Sequence, residues 1–284
     1  MLDGQEMSEA SRTAAMVAAY RARATAAKDA ICNDPWAARL AGDDGFAIAR
    51  AYDEVYGHME LWIAVRTAFI DARLRERIEN GVDQVVMLGA GLDTRAARLA
   101  RAGVRVFEVD RAATQKEKLG RLAALGDSPV ASATYVTCDF EHEDFIERLA
   151  SEGFAPDRPA FFVWEGVTPY LTEGAVRATL RRLAHGTHPS SVVVFDHVRR
   201  KIVQGEPKNP KDIESRSFVE SLGEPLRFGL DYPLPLLYEE GFRRIRALTF
   251  DDVCLDVTGT YDRAREFRFQ GLVVASRAAQ GVTR

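Results

Sequence analysis

The run Val85-Val86-Met87-Leu88-Gly89-Ala90-Gly91-Leu92-Asp93-Thr94-Arg95 leaves few folds open to this chain. An apolar stretch that passes straight into two glycines and then into a helix start is the pattern of a buried parallel strand whose C-terminal end holds a ligand. Gly89 and Gly91 permit a tight turn and let a ligand approach the backbone with no Cβ in between. Asp93 or Thr94 is placed to cap the following helix, accepting from amides that would otherwise lack partners.

The segments around this run support the same architecture. From Gln84 to Leu88, Val104 to Val109, Ala133 to Cys138, Ala160 to Trp164 and Ser191 to Phe195, short β-branched or aromatic runs alternate with helical stretches. Parallel strands joined by right-handed helical crossovers follow, hence a doubly wound α/β sheet. Upstream, Ser8 to about Ala30 is Ala-rich and dotted with Arg and Lys, and reads as a helical lid or arm with little to pack on both faces. A second helix is predicted from Tyr52 to Asn80, because Val55, Met59, Trp62, Ile63, Phe69, Ile70, Leu74 and Ile78 share a stripe; Gly81 is placed to end it. Residues 1–80 are thus expected to form a helical cap on an α/β domain spanning 81–284.

After the fifth strand, Arg199 to Phe228 breaks the rhythm. It is charged, contains Pro207 and Pro210, and is expected to be an inserted loop and helix over the site. A helix near Leu234 to Glu240, a Gly241-Phe242 turn, a strand to about Phe250 and a last strand from Phe267 to Ala275 complete the chain. Two late strands without a long helix between them predict an antiparallel edge.

Composition narrows the function. A net charge of −4 over 284 residues supplies no broad basic field for phosphates, which argues against a nucleic-acid partner. Cys32, Cys138 and Cys254 are far apart and form no CxxC pair, so neither a disulfide framework nor a zinc site is expected. No signal-peptide pattern and no apolar run near the roughly 18 residues of a spanning helix is present. The expectation is a soluble cytoplasmic protein, a monomer or homodimer, with no membrane partner.

Three further strand ends carry ligand-binding chemistry. Nineteen residues after Gly91, Phe107-Glu108-Val109-Asp110 ends in a carboxylate able to accept from both hydroxyls of an adenosine ribose. A dinucleotide fingerprint would place glycine where Thr94 stands, and Asp93 occupies the position where a pyrophosphate needs room and positive potential; a ligand without phosphates is favoured. In Cys138-Asp139-Phe140, Asp139 is able to accept from an adenine amino group while Phe140 packs on the ring. Glu165, in Trp164-Glu165-Gly166, lies at the C-terminal crevice where such sheets bind ligands. An NAD-dependent oxidoreductase shares much of this pattern and remains an alternative, weakened by the missing third glycine.

These residues resemble the leucine carboxyl methyltransferase-like family, including its bacterial branch of O-methyltransferases of polyketide and other natural-product pathways. The resemblance is carried by Leu88-Gly-Ala-Gly-Leu-Asp-Thr-Arg95, Phe107-Glu-Val-Asp110, Cys138-Asp-Phe140 and Glu165-Gly-Val-Thr-Pro-Tyr-Leu171. Tyr20-Arg-Ala-Arg23, Asp34-Pro-Trp36 and Arg66-Thr-Ala-Phe-Ile-Asp71 extend it upstream, and it fades beyond Val198. It implies a class I, Rossmann-like methyltransferase that uses S-adenosylmethionine, releases S-adenosylhomocysteine and needs no metal. Gly89, Ala90 and Gly91 would then form the cofactor loop. Arg66, and similarly Arg23, would pair with the cofactor's methionine carboxylate; Asp110 would bind its ribose, Asp139 and Phe140 its adenine, and Glu165 its amino group.

An O-methyltransferase acting on a carboxylate or acidic hydroxyl of a small molecule is the function this implies. A carboxylate, with an ordinary pKa of roughly 4, needs no general base, whereas a phenol near 10 does. Tyr170 is the candidate to orient the acceptor; Asp196 and His197, at the end of the fifth strand, are candidate bases, although a His beside an Asp also serves as plain structure. Glu165-Gly-Val-Thr-Pro-Tyr170 lacks the polar residue and paired prolines with which amino methyltransferases hold a planar amine. Protein C-terminal carboxyl methylation and a noncatalytic S-adenosylmethionine-binding module remain as alternatives.

Overall fold

Apolar runs form five parallel strands, the central ones buried on both faces, and the computed structural model describes them within residues 11–57, 59–99, 101–126, 132–203, 210–260 and 268–277. The strands are β1 (Gln84–Leu88), β2 (Arg105–Asp110), β3 (Thr134–Thr137), β4 (Phe161–Trp164) and β5 (Val192–Val198). With β6 (Arg244–Thr249) and β7 (Gln270–Ser276) they make one seven-stranded sheet in the order β3-β2-β1-β4-β5-β7-β6. Leu88 lies opposite Val109, so β1 and β2 end side by side. The order reverses at β1, which opens a crevice at the C-terminal ends of β1 and β4.

The antiparallel edge is present in a form the sequence did not specify. β7 is antiparallel to both neighbours and enters between β5 and β6, so β6 is the outer strand. A helix, α11 (Phe250–Thr258), separates β6 from β7, and it begins with a reciprocal capping box between Thr249 and Asp252.

Alternate residues of each strand feed two cores. Val85, Met87, Val192 and Val194 join one face with α1 (Arg12–Ala26), α2 (Ala37–Asp53), α3 (Met59–Glu79) and α11. Val86, Leu88, Val193 and Phe195 join the other with α6 (Phe145–Ser151), α7 (Glu173–Gly186) and α10 (Pro233–Glu239). Short α4 (Arg95–Arg98) follows the glycine loop, and α5 (Ala112–Ala123) follows β2. Cys32, Cys138 and Cys254 are buried, and none is in a disulfide. No described helix is long and apolar enough to cross a membrane.

The N-terminal region departs from its reading. α1 is no loosely packed arm: Ala15, Ala18, Ala19 and Tyr20 are buried, and the alanines let the helix lie against α2 and α3. The predicted start at Ser8 to Ala10 lies outside the described residues. The single helix expected from Tyr52 to Asn80 is instead the end of α2 and the whole of α3. Tyr52 and Tyr56 turn away from that stripe toward α9 (Pro210–Ser221), where they meet Ser215 (2.6 Å) and the Asp212 carboxylate. α2 itself escaped prediction because Gly42, Asp43, Asp44 and Gly45 give it weak helix propensity; its backbone kinks at Gly42. Between β5 and α10 the chain forms α8 (Arg200–Val203) and α9. Pro207 and the start of the last predicted strand at Phe267 lie outside the described residues.

Buried charge holds α3 to the start of α4. Asp71 accepts from Arg95 Nε at 2.6 Å and also from Arg98, and all three side chains are at most 5% exposed. Removing one member of a buried pair leaves uncompensated charge and costs about 3–5 kcal/mol. Asp71→Ala is expected to lower the urea midpoint by that order with an unchanged m-value. A loss within the roughly 0.5 kcal/mol of ordinary surface substitutions would show that the two arginines find other partners.

Candidate functional site

The turn after β1 is tight. Gly89 and Gly91 have φ of +68° and +49°, and a Cβ on Gly89 would fall 2.3 Å from the Val167 side chain. One on Gly91 would fall 3.2 Å from Ala14 of α1, so the start of α1 covers this loop. Asp110 ties β2 to the turn: one carboxylate oxygen accepts from the Gly91 amide at 2.6 Å and the other from the Arg111 amide at 2.7 Å. Burial pushes its carboxyl above the ordinary aspartate range despite the lowering effect of those amides. A carboxylate has about four acceptor sites, so Asp110 keeps capacity for two ligand hydroxyls.

At the next strand ends, Asp139 follows β3 and accepts from the Glu141 amide at 2.9 Å, while half-buried Phe140 packs at an angle on Phe145. Glu165 follows β4 and lies between two arginines, 2.9 Å from Arg66 and 2.7 Å from Arg95. Burial alone would raise its carboxyl; Arg95 and then Arg66 outweigh burial and hold it below the usual range. Arg66 also pairs with Asp196 of β5. Its Nε, and one terminal nitrogen of Arg95, are buried with no hydrogen-bond partner among the described residues.

Sequence reasoning missed several members of this cluster. Arg21, not Arg23, reaches the loop: it donates to the Leu92 carbonyl at 2.6 Å and to Asp34 at 2.9 Å. Arg23 faces outward, a third exposed, between Asp53 (2.6 Å) and Glu60 (2.8 Å). Helical spacing held the signal, since Ala14, Ala18 and Arg21 lie on one face and Ala14 touches the glycine loop. Lys118 is a second omission, buried and paired with Glu108 at 2.5 Å.

Asp196 and His197 do not form a pair. Strand alternation sends Asp196 toward α3 with Val194 and Val198, and His197 to the opposite face with Val193 and Phe195, its ring against Gly271. Burial lowers the imidazole, which is neutral at pH 7. Tyr170 ends a 3-10 turn, Thr168–Tyr170, near Thr13 and Glu224. Burial and then the Glu224 carboxylate raise its phenol, so it stays protonated. Thr13, at the start of α1, donates to Glu224, and the amides of Arg227 (2.7 Å) and Phe228 (3.1 Å) both donate to the Pro169 carbonyl. The segment after α9 therefore fastens both the start of α1 and the turn that carries Tyr170. Glu224 sits in no motif, and only a contact 211 residues apart reveals it.

The assembled groups suit an adenosyl amino acid. Asp110 offers acceptors to a diol, while Arg66 and Glu165 complement a carboxylate and an ammonium. The loop offers a phosphate little: Arg21 and Arg95 are already ion-paired, and Asp93 lies there with its carboxyl held low, Arg95 and Arg21 overriding the effect of burial.

Comparison with known proteins agrees. The profile of the leucine carboxyl methyltransferase family matches residues 14–184, more than half of the chain. A protein of Mycolicibacterium gilvum named as an S-adenosyl-L-methionine-dependent methyltransferase is 32% identical over 246 residues, covering 82% of this chain and 78% of the relative. One of the same name from Mycolicibacterium vanbaalenii is 32% identical over 247 residues, covering 81% and 77%. Among solved structures, a protein of Thermobifida fusca named as a methyltransferase superposes with a TM-score of 0.64 at 17% identity, covering 98% of each chain. A DUF574 family protein of Streptomyces avermitilis gives 0.63 at 14% identity, covering 92% of this chain and 97% of that one. These two share the fold. The family match sets aside the NAD-dependent oxidoreductase alternative and makes S-adenosylmethionine the cofactor.

Asp110 provides a test by pH. If ribose hydroxyls donate to the Asp110 carboxylate, affinity for S-adenosylhomocysteine should be level near neutral pH and fall on acidification as Asp110 takes up a proton. The raised carboxyl places that fall above the ordinary aspartate value of about 3.9. Calorimetric titration across pH should show this acid limb, and Asp110→Ala should abolish binding; an unchanged affinity in that variant would remove Asp110 from the site.

Proposed function

Because the chain belongs to the leucine carboxyl methyltransferase family, we propose that this S-adenosylmethionine-dependent methyltransferase acts on oxygen, at a carboxylate or acidic hydroxyl of a small molecule. One observation carries the preference for oxygen. The turn after β4, Glu165 to Tyr170, lacks the polar residue and paired prolines that hold a planar amine, and its Pro169 carbonyl already takes two amide donors. An acceptor that arrives as an anion needs no proton removed there.

When bound, the cofactor supplies an electrophilic methyl on a sulfonium. The chain's own residues then have the task of placement, which alone accounts for large rate effects when reacting atoms are held in line. In this reading Asp110 holds the ribose, and Arg66 with Glu165 holds the amino-acid end. Tyr170, kept protonated, donates a hydrogen bond that orients the acceptor oxygen. The start of α1 and the segment around Glu224 close over the crevice and exclude water.

The test is methyl transfer from radiolabelled S-adenosylmethionine to a panel of small carboxylates and phenols, beginning with aromatic and polyketide carboxylates. Base-labile methyl ester or an O-methyl ether is the expected product; an N-methyl product overturns the proposal. Tyr170→Phe should lower kcat about tenfold, or ~1.4 kcal/mol, with the cofactor KM unchanged. Equal turnover by that variant would exclude Tyr170 from catalysis.

A further inference from the structure

Asp196 stands at the end of β5 in the position of a catalytic base, yet neither of its carboxylate oxygens is free. One takes a hydrogen bond from the Gly166 amide at 2.6 Å, and the other takes one from Arg66. Its backbone carbonyl accepts from the Thr168 hydroxyl at 2.7 Å, so the strand end is pinned to the same turn. The Arg66 and Asp196 side chains are 5% and 4% exposed. To act as a base, Asp196 would have to release two buried donors before accepting a proton, and each released donor would be left unsatisfied.

We propose that Asp196 is a positioning residue that aims Arg66 and the Glu165-Gly166 turn at the amino-acid end of the cofactor. Glu165 is bounded on one side by Gly166, whose φ of +71° sets the direction of the turn, and on the other by the Arg66 guanidinium. Asp196 fixes both. With one terminal nitrogen of Arg66 held by Asp196 and the other by Glu165, the planar fork has a single orientation, and its unpartnered Nε is the donor left over. Asp196 thereby orients the cation and the anion that would meet the cofactor's carboxylate and ammonium. The inference rests on the reading of Arg66 as a cofactor ligand, which Arg66→Lys tests by itself.

The experiment compares two ligands, S-adenosylhomocysteine and adenosine, by calorimetric titration of the full chain and of Asp196→Asn. Asparagine keeps an acceptor for the Gly166 amide but loses the charge that anchors Arg66. If Asp196 positions the amino-acid end, Asp196→Asn should raise the Kd for S-adenosylhomocysteine about tenfold or more, while the adenosine Kd changes by less than about twofold. Combined with Arg66→Lys, the two losses should be less than additive. Equal weakening of both ligands would reveal a role confined to stability and overturn the proposal, as would unchanged or tighter binding of S-adenosylhomocysteine. In the wild-type protein, the Gly166 amide should resist hydrogen exchange both with and without S-adenosylhomocysteine. Exchange that becomes fast when ligand binds would show that Asp196 lets go of the turn, and would likewise contradict the proposal.

Discussion

A chain of buried ion pairs at the C-terminal edge of the sheet fixes where everything else in the site can lie. It runs from Arg21 through Asp34 and Arg98 to Asp71, on through Arg95 to Asp93 and Glu165, and through Arg66 to Asp196. These residues come from α1, the loop before α2, α3, the glycine loop with α4, and the ends of β4 and β5. Separating Asp93 from Arg95, or Asp196 from Arg66, would leave a carboxylate with no ion-pair partner among the described residues. Such pairs add little stability over a well-packed apolar core, but they tolerate only one arrangement. Helices that would otherwise slide over an apolar sheet face are thereby locked in register with the strand ends.

The same chain would favour the proposed ligand. Four guanidiniums face five carboxylates, an excess of one negative charge that suits a ligand whose sulfonium, ammonium and carboxylate sum to +1. The arginines nearest the glycine loop are occupied by carboxylates, so phosphates find few free donors there. Asp110 stands outside this chain, its burial offset by two amides, and in the proposed reading it would meet the neutral ribose of the ligand. In the proposed reading the amino-acid end would be held by charge, and the nucleoside end by hydrogen bonds and by Phe140.

What the sequence revealed was local. β1 occupies the residues expected of it, and the other strands lie within a few residues of theirs, because an apolar run that ends in glycine or an acid has one economical conformation in an open sheet. The places of Asp110 and Glu165 at the strand ends were legible for the same reason. Arg21 was not, because the rotation of α1 against the sheet decides which of two nearby arginines turns inward. α2 was hidden by its glycines and aspartates, and Glu224 by the length of chain between it and Thr13. Asp71 and Arg95 stood in motifs that could be quoted but not interpreted, and Arg98 in none, since each acts through a partner distant in sequence. Side-chain alternation along β5 parts Asp196 from His197, so two candidate bases adjacent in sequence face opposite sides of the sheet.

The most direct test of the central claim is a crystal structure of the protein with S-adenosylhomocysteine bound. The account predicts the ribose hydroxyls on Asp110 and the amino-acid end between Arg66 and Glu165, with Asp196 still accepting from the Gly166 amide and the ion pairs from Arg21 to Arg95 intact. A ligand seated elsewhere along the strand ends, or seated here only after those pairs have rearranged, would contradict it.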